Sequence, residues 1–142
     1  MNIDLRTLET KNAYKLLVGS VVPRPIAWVS TVDEKENRNL APFSFFTVAS
    51  RNPPMLCISI GPGVEEREGT VKDTLTNIRS EKQFVINVVP SHLGNEMHKS
   101  SENFPSDVDE FEAAGLTPVE STVVRPPRVG EAPIAMELEL DR

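Results

Sequence analysis

Cys57 is the only cysteine, so no intramolecular disulfide can form and a secreted scaffold stapled by disulfides is excluded. The two histidines, His92 and His98, stand apart from any cysteine or carboxylate set in metal-ligand spacing, and no metal site is expected. Lys and Arg number 15 against 21 Asp and Glu, for a formal net charge of −6, and the basic residues do not cluster. Counterion release from a phosphate backbone needs such a cluster, so nucleic acid is not expected as a partner. No apolar run approaches the roughly 20 residues that span a bilayer. Met1-Asn2-Ile3-Asp4 lacks the basic and apolar regions of a signal peptide. A cytoplasmic protein with no membrane partner is the expectation.

The usual catalytic signatures are missing too. Gly61-Pro62-Gly63 lacks the third glycine and the helix of a dinucleotide fingerprint, and there is no Walker loop. Ser44 and Ser59 have no histidine that the sequence marks as a base. Cys57 sits in an apolar strand and reads as a buried core thiol. Hydrolase chemistry has no support, and no catalytic side chain is named.

Proline, by contrast, is abundant: twelve in 142 residues, against seven glycines. Helical bundles tolerate few prolines, whereas short strands and turns accommodate many. The chain length suits one domain over residues 1–142.

A helix is expected from Thr10 to Leu17, stopping near Gly19, with Leu16 and Leu17 facing the core beside Tyr14. Pro23-Arg24-Pro25 is extended. A strand follows from Ile26 to Val32, then a polar turn over Asp33 to Arg38, then the second arm of a hairpin from Asn39 to Val48. Met55 to Ile60 reads as a strand buried on both faces, and Val64 to Thr70 as a charged loop. Lys72 to Arg79 reads as a helix with Leu75 and Ile78 inward. Gln83 to Val89 is a buried strand. Short helices follow at Leu93 to Lys99 and at Phe111 to Ala114, the latter closed by Gly115. Val123 to Val129, with Pro126-Pro127, is an extended loop or edge strand. Ala135 to Leu140 alternates as a half-buried strand, Met136, Leu138 and Leu140 on one side.

Small polar residues occupy strand positions where a core prefers aliphatics: Ser30 and Thr31 in one arm, Asn39 and Ser44 in the next. Cross-strand bonding explains them, and so does a lining for a polar, planar ligand. Pro42 removes a ladder donor and marks an edge or bulge. Lys72-Asp73-Thr74 opens a helix. Capping by Asp73 accounts for that composition, and an anion site built from Lys72, the Thr74 hydroxyl and the first-turn amides accounts for it equally. Asn77 lies one turn on and is placed to reach the same side. Arg24, between two prolines, is a rigidly presented cation.

Taken together, Pro23-Arg24-Pro25-Ile26-Ala27-Trp28-Val29-Ser30-Thr31-Val32-Asp33, Asn39-Leu40-Ala41-Pro42-Phe43-Ser44-Phe45-Phe46, Asn52-Pro53-Pro54, and Lys72-Asp73-Thr74 with Asn77-Ile78 resemble the flavin reductase-like, FMN-binding split-barrel family. Ala114-Gly115-Leu116-Thr117 and Arg125-Pro126-Pro127-Arg128-Val129 resemble it as well. Its members include flavoredoxin and the reductase components of two-component flavin monooxygenases.

The resemblance implies a mainly β fold with peripheral helices: a six-stranded antiparallel split barrel, normally a homodimer with flavin near the interface. It implies FMN, with FAD as the alternative, and NADH or NADPH as co-substrate. The reaction implied is direct hydride transfer from nicotinamide to flavin, which needs no triad and no metal. A partner monooxygenase receiving reduced flavin is one implied role, and electron carriage without nicotinamide activity is the other. Ala41, Pro42, Phe43, Ser44, Phe45 and Phe46 would run along the isoalloxazine. Ser30 and Thr31 would lie near the ribityl-phosphate end, Lys72 and Thr74 near the phosphate, and Arg24 and Trp28 close to the flavin, with Asn39 and Asn77 in the same lining. Members of the family usually continue past the strand that ends here at Leu140-Asp141-Arg142, so a form shortened at its C-terminus is expected.

Overall fold

A computed structural model describes residues 2–63 and 68–141. The fold grows outward from β1 (Ala27–Val32), every residue of which is buried. Val29, Thr31 and Val32 are β-branched and Trp28 is aromatic, types that fit a pleated surface. Burial on both faces requires a central strand. The main sheet accordingly runs β2 (Arg38–Phe43), β1, β5 (Gln83–Asn87), β8 (Ala135–Glu139), every neighbouring pair antiparallel. β2 is an edge strand, as Pro42 implied, and Pro42 stands opposite Trp28. The β1–β2 turn is held by Asp33, whose Oδ1 accepts from the backbone N–H of Lys35 at 2.7 Å and of Asn37 at 2.9 Å.

Each face of this sheet has its own core. On one, Trp28 and Leu40 pack with Leu93, Phe111, Ala114, Leu116 and Val129. That face is covered by α3 (Gly94–Lys99), α4 (Glu110–Ala114) and a ribbon of β6 (Pro118–Val119) with β7 (Arg128–Val129). On the other, Ala27, Val29, Phe43, Phe84 and Ile86 pack with Ile78 of α2 (Asp73–Glu81) and with the hairpin of β3 (Phe46–Arg51) and β4 (Pro54–Ile58). Met136, Leu138 and Leu140 join this second core, so the alternation of the last strand was legible. Gly115 closes α4 with φ 73°, the left-handed position expected of it.

Several expectations are corrected. The single strand foreseen from Asn39 to Val48 is two, broken by a bend at Ser44 and Phe45. β2 stays in the main sheet while β3 leaves it to pair with β4. Cys57 is exposed, not a core thiol. β4 pairs only with β3 and is covered on one side, so Leu56 and Ile58 turn inward and Cys57, between them, turns out. α1 (Thr10–Ser20) runs past Gly19 and buries no residue; Tyr14, Leu16 and Leu17 are exposed, and the Tyr14 ring lies 6.1 Å from the Phe45 ring between centroids. The inward side of α2 is Thr74, Asn77 and Ile78, with Leu75 half-buried. Eight strands rather than six occur among the described residues, because the two-residue β6 and β7 form a separate ladder. Residues 64–67 of the expected charged loop lie outside the described residues. Among the described residues no helix is long and apolar enough to cross a membrane.

Candidate functional site

Alternate residues of an antiparallel edge strand turn their N–H and C=O groups away from the partner. On β2 the N–H of Leu40 does so and donates to Glu110 Oε2 at 3.1 Å. The other oxygen, Oε1, accepts from Asn39 Nδ2 at 2.8 Å. Two residues on, Pro42 has no N–H, so the edge there offers only a carbonyl. A cleft runs along this edge. Asn39, Ala41 and Pro42 form its floor, and the start of α2, Lys72, Asp73 and Thr74, forms one wall. Ser100, Ser101, Glu102, Asn103 and Phe104, after α3, form the other together with Glu110.

A buried polar network fixes α2 to the floor. Thr74 Oγ1 donates to Asn39 Oδ1 at 2.7 Å, and Thr31 Oγ1 donates to the same oxygen at 3.3 Å. Asn77 Nδ2 donates to Thr31 Oγ1 at 3.1 Å. All four side chains are buried, and each finds a partner, as buried polar groups must. The Thr74 hydroxyl thus donates to Asn39, while the residue itself lines the cleft. The start of α2 brings Lys72 to the cleft at the positive end of the helix dipole. Lys72 is itself the N-cap residue and no side chain caps the helix, so Asp73 is not the cap that its position suggested. Lys72 Nζ lies 5.6 Å from the centroid of the Phe43 ring.

Burial lifts the Glu110 carboxyl to about 6 from its ordinary 4.5. The hydrogen bonds it accepts from Leu40 and Asn39 pull the other way, and the charge of Asp73 adds to the rise.

A second groove, mostly apolar, lies beyond the Ser44–Phe45 bend, lined by Leu17, Val18, Val21, Pro23, Arg24, Pro25, Ser44, Phe45, Phe46 and Thr47. Arg24 closes the end of α1: its Nη1 donates to the carbonyls of Val18 at 2.7 Å and Val21 at 2.8 Å, and its Nε to Ser44 Oγ at 3.4 Å. The guanidinium also stands 5.9 Å from the Phe45 ring centroid.

The expected site residues thus divide three ways. Asn39, Ala41, Pro42, Lys72 and Thr74 meet at the first cleft. Arg24, Ser44, Phe45 and Phe46 meet at the second. Trp28, Ser30, Thr31, Phe43 and Asn77 are buried between and beneath. Trp28 Nε1 donates to Ser100 Oγ at 2.9 Å and Ser30 Oγ donates to the Pro127 carbonyl. The side chains of Trp28, Ser30 and Thr31 are buried beneath the clefts and are not among their lining residues. The run Ala41 to Phe46 joins one cleft to the other.

Two parts of the site were missed in the sequence. Glu110 follows Asp109, and both read as acids at a helix start. Asp109 does play that part, its Oδ1 accepting from Phe111 N at 2.9 Å. Nothing local marks Glu110 as the residue that reaches another strand. The wall Ser100 to Phe104 carried one signal, a polar run ending in Phe104-Pro105 between two short helices. Among the described residues no three His, Cys, Asp or Glu side chains gather as a metal site.

Residues 18–142 match the family described as flavin reductase like domain. An uncharacterised protein of Aquifex aeolicus is 42% identical over 140 residues, covering 99% of this chain and 70% of that protein. Nitrilotriacetate monooxygenase component B from Bacillus cereus superposes with a TM-score of 0.93 at 35% identity, covering all of this chain and 68% of that one. The 2-nitrobenzoate 2-nitroreductase of Pseudomonas fluorescens gives 0.86 at 34% identity, with 66% of its length covered. The chain therefore spans about two thirds of the proteins it matches. The split-barrel fold of antiparallel sheets with peripheral helices is shared with these neighbours.

Proposed function

We propose, because this chain belongs to the flavin reductase-like family, that it is an oxidoreductase that holds FMN and reduces it with NADH or NADPH. One observation carries the reading: Lys72 and the first turn of α2 face the outward edge of β2 across a single cleft. A cation, a helix N-terminus and a strand edge that offers a carbonyl at Pro42 suit a ligand that is anionic at one end and has a planar, hydrogen-bonding body. The phosphate belongs at Lys72. The ring belongs along Ala41 to Phe46, leading toward the second groove.

When bound, the flavin supplies the hydride-accepting chemistry. The chain's own residues do the rest. Lys72 holds the phosphate by charge. The Asn39–Thr74 bond keeps α2 seated against β2, so the phosphate and ring ends of the site stay a fixed distance apart. Leu17, Val21, Phe45 and Phe46 give the second groove an apolar lining, which favours stacking of a second flat ring. FAD is the alternative flavin, since the first cleft is open at its mouth.

A second copy of the chain is part of this reading. Val21, Val22 and Val48 are 62%, 63% and 72% exposed, and Tyr14 and Leu17 are exposed as well; exposed apolar side chains favour a covering partner. The name of the Bacillus cereus neighbour, a monooxygenase component, supports an oxygenase as recipient of the reduced flavin.

The test is nicotinamide oxidation by the protein with added FMN, measured against free FMN alone. Oxidation well above that background is expected. None would reject the reductase reading, and flavin retained without oxidation would point to an electron carrier instead.

A further inference from the structure

We propose that Glu110 is the proton-linked positioning residue of the first cleft: ionised, it opposes an anion seated between Lys72 and the start of α2, and it takes up a proton when such a ligand binds. The inference rests on the phosphate placement made above.

Glu110 is 8% exposed, and it lines the same cleft as Lys72, Asp73 and Thr74, with the charge of Asp73 acting on its carboxyl. It is fixed by the N–H of Leu40 and by Asn39 Nδ2, so it cannot swing into solvent without giving up both bonds. The charges around it are mostly negative. Asp73 and Glu102 share its cleft with Lys72. On its other side a hollow brings up Asp33 and Arg38, and Arg38 is itself paired with Asp109 at 3.0 Å. Lys72 is thus the one cation of the first cleft among the described residues, opposed by three carboxylates.

A phosphate arriving there adds negative charge close to a carboxyl already held in a dry setting. Protonation of Glu110 removes the repulsion; it weakens the bonds accepted from Leu40 and Asn39, which favour the ionised form, and burial offsets that loss. Its ordinary titration has already been moved by burial to about 6, within reach of neutral pH. Binding of the anion and uptake of the proton are then linked, each favouring the other.

The experiment follows FMN and riboflavin affinity across pH in the wild type and in Glu110→Gln. FMN's own phosphate loses charge as pH falls, which acts alike on both proteins, so their ratio isolates Glu110. Between about pH 7.5 and about pH 5.5 the wild type is expected to gain FMN affinity relative to Glu110→Gln by about five- to twenty-fold. The riboflavin ratio is expected to stay flat. A second measurement needs no variant: the titration midpoint of the Glu110 side-chain carboxyl, followed by carbon NMR, should rise when FMN is added and not when riboflavin is. Parallel FMN profiles in the two proteins, or a midpoint that FMN leaves unmoved, would overturn the inference while leaving FMN binding intact. Failure of the wild type to bind FMN at any pH would overturn the phosphate placement and this inference with it.

Discussion

Asn39 Oδ1 accepts the Thr74 hydroxyl at 2.7 Å, and this contact seats α2 on the edge of the main sheet. The orientation of the Asn39 amide is not arbitrary. Its Nδ2 is claimed by Glu110 at 2.8 Å, which leaves only the oxygen to face Thr74 and Thr31. Three elements distant in sequence, β2, α2 and α4, are thereby locked to one side chain.

Replacing Thr74 by valine keeps its shape and removes the donor. The buried Asn39 oxygen is then left with the longer Thr31 bond alone. Thr74→Val is expected to lower stability by about 1–2 kcal/mol, read from the midpoint of urea unfolding. No change in stability would mean that the hydroxyl serves a ligand rather than the fold.

Arg24 acts on α1 through two carbonyls that the helix end would otherwise leave to solvent. Arg24→Ala is expected to raise amide hydrogen exchange over the last turn of α1 and to cost about 1 kcal/mol. Arg24→Lys should recover little, since an ammonium cannot hold both carbonyls and Ser44 in one plane. Unchanged exchange in α1 would show that Arg24 is not a helix closure.

Stability should carry the signature of Glu110. Its folded value of about 6 lies above the ordinary 4.5, so between the two the folded state binds more protons than the unfolded one. Its contribution is fully present below the lower value and is lost as pH rises through the upper, a change of about 2 kcal/mol. Asp33 and Glu137 are held low by hydrogen bonds, and their contributions run the other way, fading as pH falls. The difference between wild type and Glu110→Gln isolates the first effect. That difference should favour the wild type at about pH 5 and shrink or reverse by about pH 7; a pH-independent difference would show that Glu110 does not titrate in this range.

Glu137, on the last strand, accepts from the backbone N–H of Thr122 at 2.8 Å and of Val123 at 2.6 Å. Glu137→Ala should speed exchange at those two amides and leave β5 and β8 protected, because the ladder between them uses backbone groups only. Slow exchange at Thr122 and Val123 in the variant would show another restraint on that loop.

Much of this was legible in the sequence, and the reasons are physical. β1 was readable because Trp28, Val29, Thr31 and Val32 are aromatic or β-branched and Pro25 stands just before it, and β2 as an edge because Pro42 has no donor. Gly115 announced the end of α4 through its tolerance of positive φ. The bend at Ser44 and Phe45 was not legible, since apolar residues continue across it and only tertiary pairing sends β3 to β4. Cys57 misled because alternation within an apolar strand does not say which face is covered. Glu110 could not be read at all: its role depends on the outward N–H of Leu40, 70 positions away. Ser30 and Thr31 stood out as small polar residues in a strand, and their polar atoms are satisfied inside the protein.

The placement of a phosphorylated flavin at the head of α2 is tested most directly with Lys72→Ala. Trp28 is the single tryptophan and bonds to Ser100 on the cleft wall, so its fluorescence should report a ligand bound there. In titrations read this way, FMN affinity is expected to fall by about 1–3 kcal/mol in the variant, while riboflavin, which lacks the phosphate, binds both proteins alike. Equal losses for the two ligands, or no loss for either, would contradict the placement.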